Sequence, residues 1–205
     1  MAARPAAVIF DVGNVLYDWN PRFLYERLID DDRALDAFLR DVCTKDWHFQ
    51  HDAGRPFAET SAELTARYPE HAALIALWGP RFNDQLGDML PGMRELVLDL
   101  DAAGVPLFAI TNFSHEFWPP FRTREAELFD RFRDIVVSGE ERLVKPDRAI
   151  YMLALKRFGL AGSDALFIDD RLDNVEAARA AGMRAHHFTD ASALRAELAA
   201  LQLLA

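Results

Sequence analysis

The chain has one cysteine, Cys43, in 205 residues. A lone thiol cannot close an internal disulfide or build a cysteine metal cluster, so a reducing compartment is expected, with the cytoplasm as the default. Basic residues are scarce too: 23 Lys and Arg stand against 33 Asp and Glu, a formal net charge of −10. That balance excludes general binding to nucleic acid or anionic membrane, both of which need clustered positive charge. No apolar run approaches the roughly 18 residues of a membrane span, and the first, Ala6 to Phe10, is too short for a signal peptide or a span. Internal repeats, low-complexity tracts and long linkers are missing as well. With 51% hydrophobic and 27% charged residues the composition is that of a globular protein. A chain of this length buries about 70% of its unfolded surface and needs no disulfide or structural metal to fold. An acidic protein that acts on an anion must, however, concentrate positive charge at one place.

What is present is an alternation of strand and helix patterns. Short apolar runs at Ala6–Phe10, Leu107–Ile110, Ile135–Val137, Ala165–Ile168 and Ala185–Phe188 fit buried parallel strands. Between them lie helices with clear punctuation: Pro91-Gly92 opens one that Gly104 closes, Pro146-Asp147 opens one that stops at Gly159, a third runs from Leu172 to Gly182, and Asp190 caps a last one carrying Leu194, Leu198 and Leu201. The pattern predicts an α/β fold, a doubly wound parallel five-stranded sheet. From Tyr17 to Asp88 no convincing strand appears, and about four helical patterns do, opened by Asn20-Pro21, the stripe Leu35, Phe38, Leu39 and Val42, Pro56, and Leu74, Ile75 and Trp78. Residues 17–88 therefore read as a helical domain inserted into an α/β core made of residues 1–16 and 89–205.

In an open parallel sheet, ligands bind outside the carboxyl ends of the strands. The residues there are Asp11-Val12-Gly13-Asn14 after the first strand, Thr111-Asn112 after the second, Lys145-Pro146 before a helix, and Asp169-Asp170 with Asn174 after the fourth. Three carboxylates, a hydroxyl and a lysine thus converge on one edge. Crowded carboxylates repel unless they are protonated or bridged by a cation, and hard Mg2+ beside a phosphate oxygen resolves the crowding.

Read as VIFDVGNV, FAITN, VKPDRAIY and LFIDDRLDN, these segments resemble, in order and spacing, the four motifs of the haloacid dehalogenase superfamily, and the helical insert is similar to that family's cap domain. The spelling looks like the branch holding sugar-phosphate phosphatases and proteins similar to 2-haloacid dehalogenases. The resemblance implies a hydrolase in which Asp11 is the nucleophile, forming an aspartyl-phosphate. It also implies that Thr111 and the Asn112 amide hold phosphoryl oxygens, that Gly13 and Asn14 adjoin the substrate, and that Lys145 neutralises the phosphate. Asp11, Asp170 and the Gly13 carbonyl would hold Mg2+, with Asp169 and Asn174 supporting them. The implied partner is a small anionic metabolite, and the implied assembly a monomer or homodimer.

The chain departs from the pattern at Gly13, where most phosphatases of the family have a second Asp that protonates the leaving oxygen and activates water. General acid–base help is worth about 10²–10⁴-fold, so esters with poor leaving groups should suffer most. His48 or His51, in a stretch from Trp47 to Gly54 that reads as a cap loop, could stand in. Two other functions remain open. A 2-haloacid dehalogenase would use Asp11 without a leaving-group proton but would need a cap arginine, for which Arg22 and Arg27 are candidates. A protein that binds a phosphorylated ligand without turnover is the other.

Overall fold

The computed structural model describes residues 4–204, so the outermost residues of the sequence-assigned core lie outside the described part. The strands are β1 (Ala7–Phe10), β2 (Tyr17–Trp19), β3 (Leu86–Met89), β4 (Leu107–Thr111), β5 (Asp134–Val137), β6 (Ala165–Asp169) and β7 (Arg184–His187). Five of them form a parallel sheet in the order β5-β4-β1-β6-β7. Alternate residues feed opposite faces: Val8, Phe10, Ala109 and Ile168 join one apolar cluster, while Ala7, Ile9, Ile110 and Phe167 join the other. Both faces are covered, which is why these strands read as unbroken apolar runs.

Five α-helices lie between β2 and β3: α1 (Arg22–Tyr25), α2 (Asp32–Ala37), α3 (Lys45–Asp52), α4 (Phe57–Arg67) and α5 (Ala72–Ile75). After β3 follow α6 (Met93–Ala102), α7 (Trp118–Arg124), α8 (Ala126–Phe129), α9 (Ser138–Glu141), α10 (Arg148–Phe158), α11 (Leu172–Ala180) and α12 (Ala191–Ala200). Sequence punctuation holds at several ends. Asp147 accepts from the Ala149 amide at 2.9 Å and Asp190 from the Ala193 amide at 2.9 Å, each satisfying a donor that the first helical turn leaves free.

Two local expectations are corrected. The segment from Tyr17 to Asp88 is not free of strands, because β2 and β3 pair antiparallel, Tyr17 opposite Met89 and Trp19 opposite Leu86, as a short ribbon at the two ends of the helical segment. The stretch from Trp47 is not a loop but the body of α3, whose amino end is capped by Thr44 Oγ1 accepting from the Trp47 amide at 3.0 Å.

The segment between β2 and β3 is tied to the rest of the chain at several points. Its Leu24, Leu35, Phe38 and Trp78 belong to the same apolar cluster as Val8 and Phe10 of β1. Glu116, in the loop after β4, accepts from the Phe57 amide at 2.6 Å and so caps α4 across the junction. Ser138 Oγ donates to the Asp52 carbonyl at 2.6 Å and accepts from the Phe113 amide at 3.0 Å, pinning the carboxyl end of α3 to the loop after β4. Gly54 makes that approach possible, since a Cβ there would stand 3.0 Å from the Gly139 carbonyl oxygen and φ is +88°.

Candidate active site

β1 is the central strand, with β4 and β6 on its two sides and Phe10 opposite both Ala109 and Ile168. The chain leaving β1 therefore meets the ends of both neighbours. Asp11 follows β1, Thr111 closes β4 and Asp169 closes β6, so Thr111 and Asp169 are the last residues of their strands rather than the first of the loops. Lys145, 2% exposed, reaches between the strands. Its Nζ lies 2.8 Å from Asp11 Oδ2 and 2.7 Å from Asp169 Oδ2.

Each partner in this cluster is itself held. The Val12 amide donates to Asp11 Oδ1 at 2.7 Å. Asp169 accepts from the Arg171 amide at 2.9 Å and from Asn174 Nδ2 at 2.9 and 3.1 Å, so both its oxygens are engaged. The Tyr151 hydroxyl donates to the Asn174 carbonyl at 3.0 Å. The side chain of Asn112 clips the Lys145 backbone, accepting from its amide at 2.8 Å and donating to its carbonyl at 3.0 Å. That clip, invisible in the sequence, fixes where the lysine departs. His187 Nε2 lies 2.9 Å from the Asp170 carbonyl oxygen and steadies the loop bearing the outer acid.

The electrostatics follow from burial and crowding. Burial pushes the Asp11 carboxyl up; Lys145 opposes that, and the charges of Asp169 and Asp170 add to it. Burial works against the Lys145 ammonium, yet the Asp11 and Asp169 carboxylates outweigh it and raise its pKa. Asp170, half-buried, is raised by burial and then by Asp169. Asp11, Asp169 and Asp170 offer oxygens that all lie within 4.8 Å of one another. One lysine does not balance three carboxylates, and a further cation is what such a donor set accommodates.

A cleft of about 450 Å³ opens over this cluster, with Asp11, Gly13, Asn14, Asn112, Lys145, Asp170, Arg171 and Asn174 along the core side. Asn14, at φ +56°, uses its side chain to accept from the Trp19 amide at 3.1 Å and so shapes the turn into β2. The facing wall is aromatic. Trp19 stacks on His48 at 4.9 Å, His48 on Phe82 at 5.4 Å, and Phe113 meets Phe82 edge-on at 5.3 Å. Phe49 and Leu86 complete that wall. A larger hollow of about 940 Å³, behind the β2–β3 ribbon near Phe23 and Arg94, holds none of the motif residues.

The residues named between Tyr17 and Asp88 separate clearly. His51 is fully buried, with Nε2 2.6 Å from Thr60 Oγ1, and does not line the cleft, whereas His48 does. Arg22 pairs with Asp32 and Asp36 on the surface, and Arg27 lines the other hollow, so neither reaches the cleft. Asp52, in the same Trp47–Gly54 stretch but not offered there as a stand-in, lines it and is 6% exposed.

Asp52 gives a pH-dependent stability. Burial raises its carboxyl from the ordinary 3.8 to about 8, with Lys145 opposing; His48 Nε2 stands 3.7 Å from Oδ2. The folded state therefore holds a proton that the unfolded state releases, so the stabilisation is complete below pH 3.8 and is lost as pH rises through about 8. Thermal denaturation of Asp52→Asn should show a midpoint several degrees above wild type at pH 8 and the same midpoint at pH 4. A variant less stable than wild type at pH 8 would contradict the neutral, buried carboxyl.

The chain belongs to the haloacid dehalogenase-like hydrolase family, whose sequence profile matches residues 5–182. It is 30% identical over 198 residues to a sesquiterpene phosphatase of Aspergillus oryzae, covering 94% of both chains. It is also 43% identical over 93 residues to a phosphoglycolate phosphatase of Nitrosospira multiformis, a match spanning 45% of this chain and 40% of that protein. Among solved structures, a family enzyme from Bacteroides thetaiotaomicron in complex with magnesium and inorganic phosphate aligns at a TM-score of 0.68 and 17% identity, over 91% of this chain and 95% of that one. That likeness supports the fold. Among the described residues, no helix is long and apolar enough to cross a membrane.

Proposed function

We propose that the protein is a magnesium-dependent phosphatase of the cytoplasm that cleaves a small phosphomonoester of an apolar or aromatic alcohol, with residues 17–88 acting as the cap over the site. The observation that carries this reading is the pairing of Lys145 with Asp11 and Asp169 on the floor of a cleft whose opposite wall is Trp19, Phe82 and Phe113. Its floor suits a phosphate and its wall an apolar body, which the aromatic faces would bury. The Aspergillus oryzae relative, named a sesquiterpene phosphatase, supports both halves, and the phosphoglycolate phosphatase supports the first. The aromatic wall favours an apolar alcohol over the sugar phosphate suggested by the motif spelling.

The donor set fits a hard cation: Asp11, Asp170 and the Gly13 carbonyl would hold it, while Asp169, committed to Lys145, Arg171 and Asn174, would orient the cluster. Magnesium, when bound, supplies charge neutralisation at the phosphoryl oxygens. Asp11 then attacks phosphorus as a carboxylate. Lys145 lowers the repulsion between that carboxylate and the dianion, and the Thr111 hydroxyl and Asn112 amide hold phosphoryl oxygens. The dehalogenase reading lacks its arginine, because the one arginine on the cleft, Arg171, is paired with Asp173 at 2.6 Å.

Phosphate release should be assayed on prenyl, aryl and sugar monoesters with Mg2+ and with a chelator. Chelation should lower release at least about 100-fold, as loss of a Lewis-acid ion does, and the apolar esters should be preferred. Chelator-insensitive halide release from a 2-haloacid would establish the alternative; no release from any ester would favour a binding protein.

A further inference from the structure

Gly13 leaves the site without the carboxyl that would serve the leaving group, yet the cleft holds another acid. Asp52 ends α3 and lines the same cleft as Asp11, and its position is set by contact with the loop after β4. Ser138 Oγ holds the Asp52 carbonyl at 2.6 Å and receives the amide of Phe113, the residue directly after Asn112. Asp52 is thus one hydroxyl away from the loop assigned to the phosphoryl oxygens. In-line attack by Asp11 places the departing oxygen on the far side of phosphorus, away from Asp11 and toward the part of the cleft lined by residues between β2 and β3. We propose that Asp52 is the proton donor to the leaving oxygen and then the base for the hydrolytic water, in place of the carboxyl missing at residue 13; this rests on the phosphatase reading above.

The surroundings suit that role. Asp52 Oδ1 is buried without a hydrogen-bond partner. Burial keeps the carboxyl protonated past neutrality, up to about 8, against the opposing charge of Lys145. The other polar groups on the wall are less suited. His48 receives the Trp78 indole N–H on Nδ1 at 3.3 Å, leaving Nε2–H toward Asp52 Oδ2 at 3.7 Å. Burial, reinforced by His51, keeps its imidazole neutral down to about 3, so it carries no imidazolium proton to give. Lys45 and Asp46 stand exposed at the rim.

The steps balance. In the first, an Asp11 oxygen bonds to phosphorus and the bond from phosphorus to the ester oxygen breaks. That oxygen keeps the electron pair and takes the Asp52 proton, and the alcohol leaves. In the second, water bonds to phosphorus and gives a proton to the Asp52 carboxylate. The bond from phosphorus to Asp11 breaks with its electron pair returning to the carboxylate, and inorganic phosphate departs with Asp52 protonated again.

The test compares Asp52→Asn with wild type on para-nitrophenyl phosphate, whose leaving group needs no proton, and on cyclohexylmethyl phosphate, whose leaving group does. Asp52→Asn should lose about 10²–10⁴-fold on the alkyl ester. On the aryl ester it should release a rapid burst of one nitrophenolate per enzyme before a slow steady state, because the second step still lacks its base. The burst also counts folded sites. Gly13→Asp added to Asp52→Asn should restore alkyl-ester turnover at least about 10-fold. Residue 13 has the room, since a Cβ there meets only Trp19 Cβ, at 4.0 Å. Equal losses on both esters with no burst and no rescue, or no loss on either, would overturn the assignment. Wild type inactive on both esters overturns the phosphatase reading and this assignment with it; wild type active but indifferent to Asp52→Asn overturns the assignment alone.

Discussion

Asp11→Asn should abolish phosphate release, by at least about 10⁴-fold in kcat, while leaving the protein folded. The magnitude is that of removing the nucleophile from a covalent mechanism, where the rest of the machinery cannot compensate. The amide matches the carboxylate in shape and can still accept from the Val12 amide and lie beside Lys145. It also relieves the crowding that raises Asp11, since burial and the charges of Asp169 and Asp170 all disfavour a third anion there. The thermal midpoint of Asp11→Asn should therefore stay at or above that of wild type. Loss of activity together with unfolding would show that Asp11 is needed for structure, and retained activity would remove it from the chemistry.

Lys145→Met should damage both function and stability. The ammonium is 2% exposed and lies under 3 Å from two carboxylates, so removing it leaves Asp11 and Asp169 buried without their counterion. Breaking a buried pair from one side typically costs 3–5 kcal/mol. Turnover should fall as well, by about 10³-fold, because the positive charge aimed at the phosphate is lost. Arginine is no substitute: its planar fork cannot occupy the point between two oxygens that a single Nζ now fills. Urea unfolding checks the stability and steady-state kinetics the rate. A Lys145→Met protein as stable as wild type would contradict the buried ion cluster.

The sheet and the motif residues were legible because a parallel sheet buried on both faces writes itself as short apolar runs, and its ligands sit at the strand ends. The strand-end residues needed only that rule; reading them as four motifs rested on the resemblance to the haloacid dehalogenase superfamily. Other parts of the site were not written that way. α3 turns Trp47, His48, His51 and Asp52 inward, so its buried face is half polar and shows no apolar period. The β2–β3 ribbon is three or four residues a strand and contains Asp18, Gly87 and Asp88, poor strand formers whose pairing depends on tertiary context. The Asn112 clip joins residues 33 apart and the Ser138 contact with Asp52 joins residues 86 apart. No local pattern marks such contacts. Gly13 is the converse case: the missing carboxyl was plain in the sequence, while the candidate replacement came into view only with α3 placed beside the strand ends.

The central claim is that Asp11 carries the phosphoryl group, and it is tested most directly by catching that group in place. Wild type mixed briefly with a radiolabelled phosphomonoester and Mg2+, then quenched in acid and digested, should yield label on the peptide containing Asp11. That label should be lost on treatment with hydroxylamine, as an acyl phosphate is, and be missing from Asp11→Asn. Phosphate release with no label at Asp11 under conditions of full turnover, or label on another residue, would contradict the account.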